Sequence, residues 1–278
     1  MSDRILVTGG TGKTGRLVAG QLVNRGIEAL IATRYPSSAD HVYFDWDDPT
    51  SHASALDGVT SVYLVAPTDR TEQLPAMRPF LEQAVSRASG RLVLQSASSL
   101  DEGGPMMGEV HAWLHTYAPR WTVLRPSWFM QNFTTQHLPS ITHDRCIYSA
   151  TQDGRVPFID VADIAAVGVE ALTDPALASR DHVLTGPEAL TYDEVAHLIA
   201  EEVSRPVHHL RLSMEKLTAR YVGVGIPQHY AMALARMDEA IAQGAEDRTT
   251  VEVERMTGHT PNSFVNFLAT NRSCFDTA

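Results

Sequence analysis

The chain is poor in lysine, cysteine and long apolar runs. Of its 22 basic residues only Lys13 and Lys216 are lysines, so a reaction that requires a lysine has two candidates. Its two cysteines, Cys146 and Cys274, lie far apart and form no CxxC pair. This spacing predicts neither a disulfide framework nor a zinc site. No segment approaches the ~18 consecutive apolar residues of a membrane-spanning helix, so we expect no membrane association.

Positive charge is also scarce. The 278 residues include 33 acidic and 22 basic side chains, which gives a net charge of −11. Such a surface repels phosphate backbones, so we expect no nucleic-acid partner. The sequence passes from Met1–Arg4 directly into an apolar segment, without a signal peptide, which predicts a cytoplasmic protein. GxSxG and HExxH are absent as well, which argues against the hydrolases that use these motifs.

The first 130 residues alternate short apolar segments with longer amphipathic ones. The apolar segments predict strands at 5–7, 29–32, 42–44, 62–65, 92–94 and 121–124. Three of the intervening segments predict helices. The first has apolar residues at positions 17, 18, 22 and 23 and is closed by Gly26, and the others lie at about 71–88 and 106–117. Near-continuous apolar strands separated by helices predict a parallel sheet covered on both faces, which is a Rossmann-type doubly wound α/β fold.

The pattern changes after Pro126. Helices are predicted from Asp160, at 192–203 after a capping box of Thr191 and Glu194, and around 214–222, 228–243 and 263–271, with an edge-like strand at 207–212. We therefore predict a Rossmann domain over residues 1–130. Residues 131–278 are predicted to form mostly a small C-terminal α/β subdomain that covers the substrate. The two parts are expected to be interleaved in one structural unit.

A glycine-rich segment follows the first predicted strand and opens the first predicted helix. It contains Gly10-x-Gly12-x-x-Gly15 and also Gly9-x-x-Gly12-x-x-Gly15. These glycines permit a tight turn and let the backbone approach a pyrophosphate at the positive end of the helix. In this strand–loop–helix context the motif predicts a dinucleotide site. The expected cofactor contacts are Gly9, Thr11, Gly12, Lys13, Thr14 and Gly15.

The same segment contains Gly12-Lys13-Thr14, which matches the end of the phosphate-binding loop of ATPases and GTPases. That motif requires another glycine five residues before Gly12, whereas this position is Val7. The loop is too short to wrap a triphosphate, so we expect neither ATP nor GTP.

The choice of dinucleotide depends on the end of the second predicted strand. A carboxylate there would bind the 2′-hydroxyl of NAD, but the strand ends in Thr33-Arg34. The Arg34 guanidinium suits the 2′-phosphate of NADP(H), with Lys13 as a second cation. A solvated arginine without this role is the alternative. Asp45 and Trp46 are placed to contact the adenine ring, and we predict NADPH as the cofactor.

Several segments together resemble one family. They are Thr8-Gly9-x-Thr11-Gly12-x-x-Gly15, the segment Leu124-Arg125-Pro126-x-Trp128-Phe129-Met130-Gln131-Asn132-Phe133, the segment Pro157-Phe158-Ile159-Asp160-Val161-x-Asp163-Ile164, and Leu184-Thr185-Gly186-Pro187. With them the chain resembles the NmrA-like atypical short-chain dehydrogenases, including ergot-alkaloid-pathway and quinone-reductase-like members. The resemblance covers nearly the whole chain. It implies a Rossmann-type domain, a small substrate-covering part and NADP(H) in a cleft between them.

The nicotinamide is accordingly expected near Ser96, Met107, Pro126 and Ser127. Ala66 and Pro67, after the fourth predicted strand, are also expected to contact the cofactor. The substrate is expected to contact an apolar lining and one histidine, namely Met107, His111, Trp128, Phe129 and Met130. Aromatic and methionine side chains suit a large, flat, apolar substrate, although the same residues would also serve in a core.

The chain departs from the family at the proton donor. Short-chain dehydrogenases typically use a tyrosine with a lysine four residues later, and this chain contains no Tyr-x-x-x-Lys. The corresponding helix positions fall on Met107 and His111, where many NmrA-like members have a histidine and a glutamate. His111 is one candidate for the proton donor, and Ser96 or Ser98 are candidates for hydrogen bonding to the carbonyl oxygen. His111 and His115 lack a third ligand, so we expect no metal.

Three functions remain open from the sequence. The first is an NADPH-dependent ketoreductase that acts on a ketone or quinone of a polycyclic aromatic secondary metabolite, such as an antibiotic precursor of the angucyclinone type. A ketone flanked by a phenol is polarised by its own hydrogen bond, and positioning alone can supply ~7–11 kcal/mol of a barrier. The second is a redox sensor that binds NADP(H) without turnover. The third is an imine or alkene reductase of an alkaloid pathway. The oligomeric state is not predicted.

Overall fold

The computed structural model describes residues 3–87 and 91–275. Eleven strands lie in this part of the chain: β1 Arg4–Val7, β2 Glu28–Thr33, β3 His41–Tyr43, β4 Ser61–Val65, β5 Leu92–Gln95, β6 Trp121–Pro126, β7 Cys146–Ser149, β8 Arg155–Val156, β9 Arg180–Leu184, β10 Leu190–Thr191 and β11 His208–Arg211. Ten α-helices lie in the same part: α1 Gly15–Asn24, α2 His52–Ala55, α3 Gln73–Arg87, α4 Met107–Tyr117, α5 Val161–Thr173, α6 Tyr192–Val203, α7 Met214–Gly223, α8 Gln228–Ala242, α9 Glu252–Thr257 and α10 Phe264–Phe275. Of the helices just given, none has the length and apolar character needed to cross a membrane.

Seven parallel strands form the central sheet, in the order β3-β2-β1-β4-β5-β6-β9. The inner strands are apolar on both faces, and Leu6, Leu64 and Leu94 are fully buried. From β1 the chain continues to β2 and β3, which lie on one side of β1, and it then crosses to β4 on the other side of β1. The carboxyl ends of β1 and β4 therefore flank the switch point at which doubly wound sheets bind ligands. The predicted doubly wound α/β fold is confirmed.

The sequence analysis does not predict the edge strand β9. Arg180 and Asp181 are exposed, and the third residue, His182, is buried. Such a polar edge lacks the continuous apolar run that marks the inner strands of a parallel sheet, so periodicity does not reveal it. The strand is fixed by pairing with β6 and by the His182 ring, whose Nδ1 lies 2.6 Å from Glu252 Oε2.

The chain divides into two compact units. The first contains the residues up to Pro126, together with Val161–Leu184 and Glu252–Gly258. The second contains Ser127–Asp160, Thr185–Val251 and the residues from His259 onward. The division falls at Pro126 rather than at residue 130, and α5, β9 and α9 return to the first unit.

The return of α5 to the first unit has a packing reason. This helix lies against the sheet at Gly168, where an added Cβ would approach the Tyr63 ring to 2.9 Å. Tyr63 is itself fully buried, and its hydroxyl donates to Gln95 Oε1 at 2.9 Å. One face of the sheet is therefore covered by a helix that sequence order alone assigns to the second part.

The second unit contains two small sheets and its own core. β8 pairs with β10 antiparallel, and β7 pairs with β11 parallel, which confirms the predicted strand near 207–212. Aromatic rings fill the core, with Phe133 lying 5.2 Å from both Phe158 and Phe264 between ring centroids. The predicted capping box is present at α6, where Thr191 and Glu194 bond each other's backbone N–H.

A buried carboxyl group lies within this second unit. Asp238 on α8 is 3% exposed, and its Oδ2 accepts the Ala150 N–H at 2.9 Å. Burial raises the pKa of Asp238 to about 7, although the Ala150 hydrogen bond acts in the opposite direction. The aspartate of an unfolded chain has a pKa of about 3.9. The folded state therefore binds a proton in this window that the unfolded state does not, and the free energy of unfolding falls as pH rises through it.

Replacement Asp238→Asn should remove this pH dependence. The amide oxygen still accepts the Ala150 N–H, but no charge is buried above neutral pH. Between pH 5 and pH 8 the variant should gain ~2 kcal/mol in free energy of unfolding relative to the natural chain. Denaturant unfolding at several pH values measures this difference, with the exposed Asp247→Asn as the matched control. A parallel pH dependence in the natural chain and in Asp238→Asn would contradict the assignment.

Candidate active site

The loop between β1 and α1 turns sharply on its glycines. Gly9 has a φ of +61°, in the left-handed region that favours glycine, and its carbonyl accepts the Gly12 N–H at 2.9 Å. An added Cβ on Gly15 would collide with the Gly9 carbonyl and lie 2.9 Å from Gly10 Cα. Helix α1 therefore starts directly against the loop. Thr11 and Gly12 are exposed at the tip, so backbone N–H groups and the helix N-terminus are open to a phosphate group.

Two cationic side chains lie near this loop. Arg34 follows β2 and is exposed, whereas Lys13 within the loop is half-buried. Burial lowers the pKa of Lys13 from its ordinary value. Because β2 is the direct neighbour of β1, both cations lie at the carboxyl edge of the sheet. This edge can bind an anionic group next to the glycine loop.

Asp45 and Trp46 follow β3 at the same edge. The Asp45 carboxylate accepts the Asp47 N–H at 3.1 Å, which fixes the start of this loop. The Trp46 ring packs edge-on against Phe44 and Phe80, with centroids 4.8 and 5.5 Å apart. The indole is therefore anchored in the core of the first unit, and only part of its surface is open to a ligand.

The carboxyl ends of β4 and β5 contribute small and polar residues. Ala66 is buried and Pro67 half-buried directly after β4. After β5, the N–H groups of Ser96 and Ser98 donate to the carbonyls of Leu124 and Pro126 at 2.7 and 2.9 Å. Pairing with β6 thus continues past the end of β5 and fixes both serines at the sheet edge.

Several hydroxyl groups at the predicted site are buried without a hydrogen-bond partner among the described residues. Ser96 is 5% exposed, and its Oγ has no partner. The same holds for Thr14 Oγ1, before α1, and for Ser127 Oγ, after β6. A buried polar atom left unpaired costs about 1–3 kcal/mol, so such groups indicate a missing binding partner. Together with the glycine cradle, the Thr14 and Ser96 hydroxyls of the first unit fit a bound dinucleotide.

His111 lies on α4 and is 2% exposed. Within the part of the chain that the structure describes, neither ring nitrogen has a hydrogen-bond partner, and Nε2 lies 3.8 Å from Glu102 Oε2. Its ring packs at 5.4 Å from Trp121, which begins β6 at the amino edge of the sheet. Burial lowers the pKa of His111, outweighing the opposite effect of Glu102. The His111 ring is thus enclosed in this structure, and its role as proton donor stays a prediction.

The predicted substrate residues have different environments. Met107 begins α4 and is half-buried, as are Trp128 and Phe129 after β6. Met130 is 1% exposed and belongs to the core of the second unit with Phe133 and Phe158. Met130 is thus enclosed by core residues in this structure, and its contact with a substrate stays a prediction. Met107, Trp128 and Phe129 are half-buried and retain open apolar surface.

The backbone before α4 is strained. Met106 has a φ of 59° and a ψ of −127°, a conformation that non-glycine residues rarely adopt. Strain of about 1–3 kcal/mol is typical of functional sites, where the surrounding structure enforces it. Here it places Met107 at the start of α4, one of the positions predicted to lie near the nicotinamide.

Arg125 lies at the end of β6, in one of the segments that resemble the family, and the sequence predicts no role for it. Its side chain is 12% exposed and donates to the Ser98 carbonyl and to Asp181 Oδ2, both at 3.0 Å. It also pairs with Asp101. These bonds hold the loop after β5 that carries Ser96 and Ser98. A lone arginine in a strand gives no sequence signal for such a role.

A Ser–His–Asp alignment occurs in the second unit. His209 Nε2 lies 2.8 Å from Ser149 Oγ, and its Nδ1 lies 3.2 Å from Asp193 Oδ2. Ser149 is 1% exposed and also bonds Thr151, so no substrate reaches its hydroxyl. The alignment stabilises the β7–β11 pairing, and its buried serine does not provide a hydrolytic nucleophile.

Comparison with known proteins gives consistent results. The sequence model of the NmrA-like family matches residues 110–265, and an NAD(P)H-binding model matches residues 9–175. The chain is 42% identical to the uncharacterized oxidoreductase YesF of Bacillus subtilis (strain 168), covering 95% of this chain and 94% of that protein. It is 41% identical to the agroclavine dehydrogenase of Claviceps fusiformis, covering 97% of each. The fold is similar to that of the Escherichia coli NADPH-dependent quinone oxidoreductase QOR2 complexed with NADPH, with a TM-score of 0.83 at 20% identity over 96% of this chain and 99% of that one.

Replacing Gly15 should disable the cofactor site selectively. The Cβ of Gly15→Ala would clash with the Gly9 backbone and displace the loop, so the NADPH dissociation constant should rise by about 10-fold or more. Gly20→Ala, on the same helix, is the matched control because its Cβ would meet no atom within 4 Å. That variant should bind normally and gain up to about 1 kcal/mol in stability. Fluorescence titration and thermal unfolding measure both quantities, and normal binding by Gly15→Ala would contradict this role of the loop.

Proposed function

This chain belongs to the NmrA-like family and is an NAD(P)H-dependent oxidoreductase, and on this premise we propose that it uses NADPH to reduce a ketone or quinone of a polycyclic aromatic compound. The supporting observation is the buried Ser96 hydroxyl, which has no partner among the described residues and lies at the carboxyl edge of the sheet, directly after β5, the strand next to β4. Its position suits a donor to an oxygen atom that gains charge during reduction.

The residues of the first unit hold the cofactor in this proposal. Gly9, Gly12 and Gly15 cradle the pyrophosphate, and Arg34 with Lys13 binds the 2′-phosphate. When bound, NADPH supplies the hydride. The strand order places β5 and β6 on the far side of β4 from the adenosine end, so Ser96 lies toward the nicotinamide end.

Reduction of a ketone consumes one hydride and one proton. The positions typical of a tyrosine and a lysine hold Met107 and His111, and His111 is buried with a lowered pKa. The Ser96 hydroxyl stabilises the developing oxyanion by donating a hydrogen bond. The proton comes from a phenol next to the carbonyl of the substrate, which solvent then reprotonates. The chain itself then supplies mainly geometry, which accounts for ~7–11 kcal/mol in favourable cases.

The half-buried apolar side chains favour a large flat substrate. Met107, Trp128 and Phe129 offer broad and adaptable contact surface at or beyond the ends of α4 and β6. A hydroxylated polycyclic ketone or quinone of the angucyclinone type combines this shape with a phenol next to the carbonyl. A role in antibiotic biosynthesis follows as part of the proposal.

A second candidate substrate is a cyclic iminium ion. The chain is 41% identical to an agroclavine dehydrogenase, whose name indicates an alkaloid substrate. An iminium carbon accepts a hydride and becomes an amine carbon without taking up a proton. Such a reaction needs no acid, which agrees with the enclosed position of His111.

A substrate panel tests the proposed reaction directly. The protein is titrated with NADPH and NADH, and reduced-nicotinamide absorbance is followed with quinones, hydroxylated polycyclic ketones and cyclic iminium ions. Consumption with a ketone or quinone supports the first proposal, and consumption with an iminium ion alone supports the second. Tight NADPH binding without consumption across the panel would overturn both and indicate a redox sensor.

Arg34→Ala should convert the cofactor preference. Loss of the charge-assisted hydrogen bonds to the 2′-phosphate should raise the NADPH dissociation constant by about 10–100-fold, while that of NADH changes little. Arg78→Ala is a suitable control because Arg78 forms an exposed pair with Glu82 on α3. Equal losses for NADPH and NADH would exclude Arg34 as the 2′-phosphate residue.

Ser96→Ala should lower kcat for a ketone substrate by about 10²-fold with little change in KM, because the lost bond strengthens only as charge develops on oxygen. Ser99→Ala, at an exposed position of the same loop, should behave as the natural chain does. Reduction of an iminium ion should be insensitive to Ser96→Ala. An unchanged kcat for the ketone in Ser96→Ala would leave the substrate's own phenol as the whole source of stabilisation of the oxyanion.

His111→Gln should retain most of kcat for a ketone substrate. A loss of ~10²–10⁴-fold in kcat would instead establish His111 as the proton donor.

A further inference from the structure

An arginine-centred bridge crosses the sheet edge at the cofactor site. Arg70 lies in the segment after β4, and Asp47 follows β3. The Arg70 guanidinium donates hydrogen bonds to both carboxylate oxygens of Asp47, at 2.7 and 2.8 Å. Arg70 Nε also donates to Asp69 at 2.8 Å. In the strand order β3-β2-β1-β4, the ends of β2 and β1 lie between the two bridged segments. The bridge therefore spans the ends of the strands that carry Arg34 and the glycine loop.

The two carboxylates act electrostatically on Arg34. Hydrogen bonds from Arg70 are the main cause that lowers the pKa of both Asp47 and Asp69, and the charge of Arg34 lowers both further. Arg34 follows β2, whose end lies between the two bridged segments, so its charge and theirs act on one another at this edge. Without Arg70, these carboxylates would attract Arg34 and repel a 2′-phosphate.

We propose that Arg70 is a specificity-determining residue for the cofactor: by pairing with Asp47 and Asp69 it leaves Arg34 available to the 2′-phosphate of NADPH. Arg70 acts through its charge on the neighbouring carboxylates and contacts no part of the cofactor. The proposal rests on the NADPH preference assigned to Arg34 above.

The charge balance supports this role. The charges of Asp47, Asp69, Arg34 and Arg70 sum to zero, whereas removal of Arg70 leaves the other three groups with a net charge of −1. The side chain of Arg70 is 30% exposed and those of Asp47 and Asp69 are 60% and 68% exposed, so solvent weakens each pair. Isolated exposed pairs contribute little, but a two-pronged fork onto one carboxylate combined with a second carboxylate is a favourable geometry. The excess negative charge repels the doubly charged 2′-phosphate of NADPH more strongly than the uncharged ribose of NADH.

The test measures NADPH and NADH binding by Arg70→Ala. The ratio of the two dissociation constants should shift by about 10-fold toward NADH at ~0.1 M salt, because unscreened charges act over about 10 Å there. The shift should shrink at ~1 M salt, where the screening length is about 3 Å. Arg78→Ala serves as the control for loss of an exposed arginine and should leave the ratio unchanged.

Two further variants separate charge from loop support. Asp47→Asn and Asp69→Asn combined with Arg70→Ala should restore the NADPH preference, because the carboxylates are then neutral. Arg70→Lys keeps the charge but loses the fork, and should retain most of the preference. If the triple variant is not restored and Arg70→Lys is as weak as Arg70→Ala, Arg70 acts by holding the segment after β4 and the proposal is wrong.

The outcomes for the natural chain distinguish this proposal from the cofactor assignment. A natural chain without NADPH preference would overturn the role of Arg34, and with it the basis for Arg70. A clear NADPH preference that survives Arg70→Ala at low salt would overturn the role of Arg70 alone. Thermal unfolding of each variant confirms that the binding data refer to folded protein.

Discussion

The close contact between the backbones of Gly15 and Gly9 is the constraint on which the cofactor site depends. It brings the N-terminus of α1 against the carboxyl end of β1 and leaves no room for a side chain. The strand order then places β2 on one side of this point and β4 on the other. Arg34, the glycine loop and the segment that carries Ala66, Pro67 and Arg70 therefore lie along one edge. Every proposed cofactor contact in the first unit follows from that arrangement.

The polar groups at this edge are fixed before any ligand binds, at a cost in stability. The buried hydroxyls of Thr14 and Ser96 have no partner among the residues that the structure describes, whereas the Arg125 side chain is bonded to the loop after β5. A site built this way loses little conformational entropy on binding, and a ligand that bonded these hydroxyls would recover the hydrogen bonds that folding left unmade. Binding and folding stability are consequently linked, since a ligand that binds only the folded state stabilises it. The charges at the adenosine end are balanced in the same fixed manner by the pairing of Arg70 with Asp47.

Much of the fold was predictable because local patterns reflect burial. Six strands of the parallel sheet, the helix before β6 and the capping box at Thr191 were all predicted, and the resemblance to NmrA-like proteins is confirmed. Strand β9 was missed because its polar edge residues show no apolar run. The boundary near residue 130 differs from the observed division because α5 packs on the first sheet. Met130 was assigned to the substrate, although its side chain is enclosed in the second core, since an apolar residue gives no sign in sequence of whether a core or a ligand covers it.

The sequence by itself determined the Rossmann-type fold, the glycine loop and the family, because glycine spacing and apolar periodicity are local consequences of backbone geometry and burial. It also established that no Tyr-x-x-x-Lys pair is present. Only the tertiary structure decided that His111 is enclosed with a lowered pKa, and that the Ser96 hydroxyl has no partner among the described residues. It also decided that Arg70, after β4, bonds a carboxylate after β3, with the ends of two strands between them. These properties depend on groups distant in the chain, since burial and electrostatic environment are set by whatever the fold packs around a side chain.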